Sequence, residues 1–411
     1  MLAIMKIALR NLYRQKRRTY LTVSIVAFGV VAVLLFTAVS DSFKSMMIGQ
    51  ITDSALGHLQ IHQKGYMSSI ENAPLDKTLN DEQIAQVQGI LDAMPEIEAY
   101  SLRLLLGGMF SNYAETTNIR VIGVDPEQEQ AVSPLLKDRI LTGKFMQKGE
   151  ILVPDALAKG FQSKINDGVV LIATNADGSV NGQSFTISGT VESVTGVGSR
   201  YGYIHLDDAL TLLRMESRQI SEIAIRLKRI DDLERVAARL SSELEKIVNK
   251  VGQPIFEIHT WKELSPFFNI ARMIDLMALF IQVILIGIVL ISILNVMVMA
   301  VYERVREIGT MAAIGTLPGK IRALFFCEGL FLGLIGAAVG SFVSMIAILA
   351  VKYAHLTFAF GRQDRILLNP SVSVAQMLMT AAIVIGVTIL AVLEPAYKAS
   401  KLEPIEALRH S

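Results

Sequence analysis

Two glycine–lysine pairs, Gly143-Lys144-Phe145 and Gly319-Lys320-Ile321, are the nearest approach in this sequence to a phosphate-cradling loop. Such a loop needs glycines so that backbone N–H groups can approach phosphate, a lysine for the terminal phosphates and a following Ser or Thr for magnesium. Both stretches lack the spacing and the hydroxyl, so the chain is expected not to hydrolyse nucleotide by itself. The six histidines are scattered and no H-E-x-x-H occurs. His58 and His62 would share one face of a strand, but without a carboxylate or Cys at ligand spacing they read as a polar outer face, and no metal site is expected. The single Cys, Cys327, excludes an intrachain disulfide. No Ser/His/Asp or Cys/His constellation stands out, and the chain does not read as an enzyme.

A different kind of signal lies in Val301-Tyr302-Glu303-Arg304-Val305-Arg306-Glu307-Ile308-Gly309-Thr310-Met311-Ala312-Ala313-Ile314-Gly315, which follows a long uncharged run. Charges after a span commonly form an interfacial cap. Here they continue for about three helical turns with Val305, Ile308 and Ala312 on one side, and stop at Gly315 and Pro318-Gly319. That is a short amphipathic helix suited to a groove in another protein.

The elements that must position this helix are membrane spans. With 52% hydrophobic and 19% charged residues and a mean hydropathy of +0.44 over 411 residues, the chain is too apolar for an ordinary soluble protein. Uncharged runs of span length, about 20 residues or more, cover residues 20–40, 276–302, 329–351 and 371–393. We place the spans at 20–40, 276–302, 323–351 and 371–393. Before Tyr20 stand Lys6, Arg10, Arg14, Lys16, Arg17 and Arg18 without an acidic residue, which puts the N-terminus inside. The first apolar run is about twice a signal-peptide core of ~7–15 residues and no convincing cleavage site follows, so it is read as a retained anchor. The domain 41–270 is then outside, the loop 303–320 inside, 352–370 a short outer loop and the tail 394–411 inside. Arg304, Arg306, Lys320 and Arg322, and Lys398, Lys401 and Arg409 agree with this orientation. Lys352, Arg362 and Arg365 in the outer loop weaken it.

The outer domain reads as mixed α/β. Gly57 to His62 alternates polar and apolar residues, as in a half-buried strand. Asn80 with Gln83 forms a capping pair before a helix with apolar Ile84, Val87, Ile90, Leu91 and Met94. A second unit combines a strand at 221–228, an expected capping box of Asp231 and Glu234, a helix with Leu233, Val236, Ala237, Leu240, Leu244 and Ile247, and a strand at 254–261. Between them, residues 116–215 are rich in Gly, Val, Ile and Thr, with turn signals at Asn175-Ala176-Asp177-Gly178 and Asn181-Gly182. The expectation is two α/β lobes with a β-rich insertion.

Within the spans, Gly329, Gly333, Gly336 and Gly340 fall at i, i+4, i+7 and i+11, a stripe along which a neighbouring helix can approach closely. Glu328 and Asn295 are polar groups at or in spans, where an interhelical contact or a snorkelling position would satisfy them.

Glu303-Arg304-Val305-Arg306-Glu307-Ile308-Gly309 with Ala313-Ile314-Gly315 resembles the E-R-x-x-E-I-G…A-x-G signature of FtsX/MacB/LolC-type ABC transporter permeases, the type VII superfamily. Ala8-Leu9-Arg10-Asn11-Leu12 with Arg17-Arg18-Thr19 resembles that family's cytoplasmic entry helix (residues 1–19). Pro395-Ala396-Tyr397-Lys398-Ala399-Ser400 with Pro404-Ile405-Glu406-Ala407-Leu408-Arg409 resembles its C-terminal ending. Glu394 before Pro395 departs from the usual hydrophobic or small residue and leaves the end of the fourth span open. The resemblance implies an α-helical membrane protein with four transmembrane helices (1+3) and a periplasmic "porter plus sabre" domain. It also implies a bacterial inner-membrane location, a second permease protomer, identical or paralogous, and two copies of a separate ABC ATPase that carry ATP and Mg. A periplasmic carrier or adaptor and membrane lipid are further expected partners; nucleic acid is not. The helix 303–315 would be the coupling helix, with Glu303, Arg304, Arg306, Glu307, Ile308, Gly309 and Gly315 as the ATPase-coupling residues. Its charges would select the ATPase groove and its apolar side would anchor there. Closure of the ATPases would tilt the second span and move the outer domain without passing substrate through the bilayer. The layout looks most like the lipoprotein-extracting LolC/LolE branch; MacB-like efflux of peptides, toxins or antibiotics, the hydrolase-activating FtsX branch and a non-transporting membrane-anchored sensor or scaffold are the alternatives. If acyl chains enter laterally, Ile25, Phe28 and Phe36 of the first span and Phe267, Phe268 and Phe280 at the start of the second would wall the cavity.

Overall fold

The computed structural model describes residues 2–192, 201–360 and 363–401, so the 404–409 part of the C-terminal ending, Arg362 and Arg409 lie outside the described residues. Two helices come first, α1 (Leu2–Arg14) and α2 (Lys16–Ile51). There follow β1 (Leu59–Gln63), β2 (Leu79–Asn80), α3 (Asp81–Asp92), β3 (Ile97–Ser111), β4 (Thr116–Val124), α4 (Pro126–Val132), β5 (Ile140–Gly143), β6 (Glu150–Pro154), α5 (Asp155–Gly160), β7 (Gly168–Thr174), β8 (Val180–Val191) and β9 (Tyr201–His205). The same region continues with α6 (Leu206–Leu212), β10 (Gln219–Ile220), β11 (Glu222–Leu227), α7 (Leu233–Leu244), β12 (Phe256–Thr260) and α8 (Trp261–Leu264). The rest is helical, α9 (Phe267–Glu303), α10 (Val305–Ala313), α11 (Pro318–Tyr353) and α12 (Val374–Ser400), broken by a hairpin of β13 (Thr357–Phe360) and β14 (Gln363–Leu367). The chain divides into two compact units, Met47–Ala271 and a helical one made of Met1–Met46 with Arg272–Ser411.

In the α/β unit one ten-stranded sheet has the order β12-β1-β11-β3-β4-β9-β6-β8-β5, with β7 paired to β3 and β8. The pairs β4–β9 and β6–β8 are parallel and the others antiparallel. The strands of 116–215 are therefore hydrogen-bonded into the same sheet as the flanking units. Asn80 and Gln83 form the capping box at the start of α3, whose Ile84, Val87 and Leu91 are buried. The box expected at Asp231 and Glu234 is absent: a 3₁₀ turn, Ile230–Asp232, leads into α7, Asp232 takes the cap position without a side-chain bond, and α7 ends before Ile247. Asn181-Gly182 lies within β8 rather than at a turn, because the chain has already reversed at Asn175–Gly178, where Gly178 has φ +82°.

The largest departure concerns β1. His58, Gln60 and His62 are buried along with Leu59 and Ile61, so the polar side of this strand is not an outer face. β1 sits between β11 and β12, and each polar group has a partner inside the domain. His58 Nδ1 accepts from the Leu227 N–H at 3.0 Å, and Gln60 Nε2 donates to the Leu56 carbonyl at 2.9 Å. His62 stacks on Tyr66 with ring centroids 5.2 Å apart and faces Glu222.

The helical unit contains the long apolar helices. Four stretches, Lys16–Leu56, Phe267–Glu303, Pro318–Tyr353 and Val374–Ser400, are long and apolar enough to cross a membrane. Each outlasts the uncharged run that signalled it, since helix does not end where hydrocarbon would. α12 continues through Pro395 to Ser400, past the expected end at 393. Leu12, Val26, Val30, Ile293, Met297, Ile308, Phe325, Leu332, Val392 and Ala396 belong to one buried cluster that joins α1, α2, α9, α10, α11 and α12. α9 is the least covered of the long helices: 11% of its most apolar window is buried, against 22–44% for the others.

Candidate coupling site

The charged segment after α9 is a separate nine-residue helix. Arg304 interrupts the helical backbone at φ −113° and ψ 14°, α10 then runs Val305–Ala313, and Gly315 turns the chain at φ +90° before α11. A non-glycine residue is strained at that φ, so Gly315 is required by the backbone itself. α10 is thus joined to the spans on either side by non-helical residues.

What holds it is a buried charge cluster. Glu328, on the third turn of α11, has a side chain with 0% exposure. Arg304 Nη1 donates to both its oxygens, at 2.9 and 3.2 Å. Asn11 Nδ2 of α1 donates to Oε1 at 2.8 Å, and Arg18 Nη2 of α2 to Oε2 at 3.4 Å. Arg304 Nε then donates to Glu307 Oε2 at 2.9 Å, and the exposed Arg14 reaches Glu307 Oε1 at 3.5 Å. One carboxylate thereby meets α1, α2 and the residue that opens α10. Burying a charge is costly unless it is paired and hydrogen-bonded, and Glu328 is both. Ile308 packs beneath α10 in the buried cluster of the spans.

These positions divide the expected coupling residues. Arg304, Ile308 and Gly309 face inward, whereas Glu303, Arg306, Glu307 and Gly315 are exposed. The apolar side formed by Ile308 is used within the chain and does not anchor outside it. The exposed apolar side chains here are Ile314 and Leu317, 77% and 64% exposed, which the sequence reading passed over. Their signal was position: two large apolar residues flanking a glycine at the end of a short charged helix.

The glycine stripe is buried and serves two neighbours. A Cβ on Gly329 would collide with Val392, and one on Gly333 would lie 3.2 Å from Thr388, both on α12. On Gly336 it would lie 2.5 Å from Val26, and on Gly340 2.7 Å from Val30, both on α2. Asn295 lies on an exposed side of α9 and does not pack in this helix cluster. Among the residues named for a cavity wall, Phe28 and Phe280 are strongly exposed, at 75% and 68%. Ile25, Phe36, Phe267 and Phe268 are half-buried, and Phe268 meets Trp261 edge-on at 6.0 Å between ring centroids.

A second charge network lies in the core of the α/β unit. Arg103 on β3 donates from Nε and Nη2 to the two oxygens of Glu129, at 2.8 and 2.7 Å, and from Nη1 to Glu222 Oε1 at 3.0 Å. His62 Nε2 stands 3.4 Å from Glu222 Oε2, and His62 Nδ1 is 3.4 Å from His259 Nδ1. Burial pushes the Glu222 carboxyl up, but the approach of His62 and the Arg103 guanidinium outweigh it and hold it below the usual range. Burial, and then His62, push His259 down. These ties fix the sheet, and a small, mostly apolar cavity lies beside them, lined by Arg103, Glu222, Gln60, Leu105, Ile122 and Tyr203 among others.

Long apolar helices, an α/β unit that lies between the first and second of them in the chain, and a charge cluster that grips a short helix between the second and third make up the described residues. Residues 19–243 match the MacB-like periplasmic core domain and residues 279–404 the FtsX-like permease C-terminal domain. The chain belongs to the MacB-like periplasmic core domain family and is an ABC transporter permease of the LolC/MacB/FtsX type. The lipoprotein-releasing system transmembrane protein LolC of Neisseria meningitidis serogroup B is 23% identical over 98% of both chains. The macrolide export ATP-binding/permease protein MacB 2 of Aeromonas hydrophila subsp. hydrophila is 24% identical over 98% of this chain and 60% of its own length. The periplasmic region of MacB from Actinobacillus actinomycetemcomitans superposes with a TM-score of 0.36 at 14% identity, over 55% of this chain and 95% of that one.

Proposed function

We propose that this chain is the permease subunit of a mechanotransmitting transporter, in which a separate ATPase drives movements of the outer domain. The observation that carries the reading is α10: a short helix between two spans, gripped on its inner side by Arg304 and Ile308, with Glu303, Arg306, Ile314 and Leu317 exposed. An exposed charge pattern with two apolar anchors suits a groove on a partner. Two copies of the ATPase would bind ATP and Mg beneath two permease protomers, in the inner membrane, with both termini cytoplasmic and the α/β unit periplasmic. The cargo is a lipoprotein or another lipidated substrate taken from the inner membrane, a reading supported by end-to-end similarity to LolC. The similarity to MacB 2 favours a second reading, efflux of a peptide, toxin or antibiotic.

Glu303→Lys and Ile314→Asp test the docking role without touching Glu328. Each is expected to lower substrate-linked ATP hydrolysis at least about tenfold, the effect of losing one interface anchor. Hydrolysis unchanged in both variants would remove α10 as the docking element. Transfer of a triacylated lipoprotein from vesicles to the soluble fraction, set against efflux of a macrolide, separates the two cargo readings.

A further inference from the structure

We infer that Glu328 is a positioning residue that locks α10 to α1, α2 and α11, so that force on the coupling helix travels into the first and third apolar helices rather than straight up α9. This deepens the coupling role proposed above and rests on it. The covalent path alone suggests the opposite, because α10 follows α9 directly. That path is interrupted: Arg304 is non-helical, and α9 is the long helix with the least buried surface. A push on α10 therefore meets a bend before it meets α9.

The non-covalent path is continuous. Arg304 holds both oxygens of Glu328 at 2.9 and 3.2 Å, while Asn11 and Arg18 hold the same carboxylate at 2.8 and 3.4 Å. Glu307 adds a second tie, to Arg304 at 2.9 Å and to Arg14 at 3.5 Å. Beyond Glu328 on the same helix, Gly336 and Gly340 bring α11 against Val26 and Val30 of α2. A rigid α11 thus carries any movement at Glu328 to two further contacts with α2. The charge balance makes the lock hard to open. Glu328 has 0% side-chain exposure and Arg304 9%, and separating them would strand both charges away from water. α1, α10 and the start of α11 then form one moving body, joined to α9 through the non-helical bend at Arg304.

Spin labels test this in the full chain in lipid nanodiscs, with Cys327 replaced by Ala. One pair sits at Tyr13→Cys and Thr310→Cys, both exposed and away from the docking anchors Ile314 and Leu317, and spans the lock; the other, Tyr302→Cys with Thr310→Cys, spans the Arg304 joint. Distances are read by pulsed electron paramagnetic resonance on the chain alone, with the ATPase that co-purifies, and after trapping with ATP and vanadate. The lock predicts a narrow Tyr13–Thr310 distance that stays the same in every state, while the Tyr302–Thr310 distance changes on trapping. Glu328→Gln keeps the side-chain shape and removes the charge; it is expected to broaden the Tyr13–Thr310 distribution and raise amide exchange in α10 at least about tenfold, the consequence of losing charge-assisted hydrogen bonds. Asn11→Ala, which leaves the buried ion pair in place, is expected to give an intermediate width. A Tyr13–Thr310 distance that shifts by a helical turn, about 5.4 Å, on trapping, or one that stays narrow in Glu328→Gln, overturns the lock. If no ATPase co-purifies, the coupling reading fails, while the chain alone still decides whether Glu328 holds α10.

Discussion

Replacing Arg103 by Met should destabilise the α/β unit severely, and the structure says by how much. Arg103 is 2% exposed and supplies a bidentate bond to Glu129, one bond to Glu222 and one to Ser133 Oγ at 3.2 Å. Methionine fills similar space but leaves two carboxylates buried without their cation. Among the described residues, Glu129 keeps the Ser101 hydroxyl, at 2.9 Å, and Glu222 keeps His62. Removing one partner of a buried ion network costs about 3–5 kcal/mol, because the remaining charge stays desolvated. Urea unfolding can follow this unit alone, since Trp261 is the only tryptophan in the chain and is buried within it. With a urea slope of roughly 3 kcal/mol/M for a unit of this size, the midpoint should fall by about 1–2 M. Adding Glu129→Gln and Glu222→Gln to Arg103→Met should recover more than half of the loss, because neutral amides need no cation. A midpoint within about 0.5 M of the original in the single variant, or a triple variant weaker than the single one, would refute the network as the structural tie described here.

Other outcomes follow from the same structure. Gly340→Val places atoms against Val30 and the Ala27 carbonyl, contacts of 2.7 and 2.8 Å already at Cβ, and should lower the thermal stability of the solubilised chain by about 1–3 kcal/mol. Gly386→Ala, with open space around its Cβ, should instead raise it by up to about 1 kcal/mol, and the contrast is read in one differential scanning experiment. Stability of the α/β unit should fall as the pH drops: His259 favours its neutral form when folded, so its contribution is intact above the ordinary histidine value of about 6.5 and declines below it. The depressed Glu222 carboxyl contributes above the ordinary carboxylate value of about 4.3 and is lost as the pH falls through its folded value. Trp261 unfolding curves from pH 7.5 down to about 2 check both, and His259→Gln should flatten only the upper part.

Some of this architecture was legible in residue order because its cause is local. Four uncharged runs mark the long apolar helices, and Asn80 with Gln83 marks the start of α3, since a capping box is built from residues three apart. The glycine spacing marks a packing stripe, although only the structure divides it between α12 and α2. What was hidden depends on distant partners. Glu328 read as a polar residue near a span end, and its value lies in Asn11, Arg18 and Arg304, up to 317 residues away. The polar residues of β1 read as an outer face because alternation reports side-chain direction, not what covers each side. The hairpin at Thr357–Leu367 carries no turn dipeptide of the usual kind and was missed. α10 was legible as a helix but not in its orientation, which Arg304 and Ile308 set by binding inward.

The central claim is that α10 docks an ATPase, and the most direct measurement is mass spectrometry of everything retained when the tagged chain is gently extracted from its native membrane. The account predicts two copies of an ABC ATPase with two permease protomers, lost together when Ile314→Asp is introduced. No ATPase under several mild extraction conditions, or an ATPase retained equally by the Ile314→Asp variant, would contradict it.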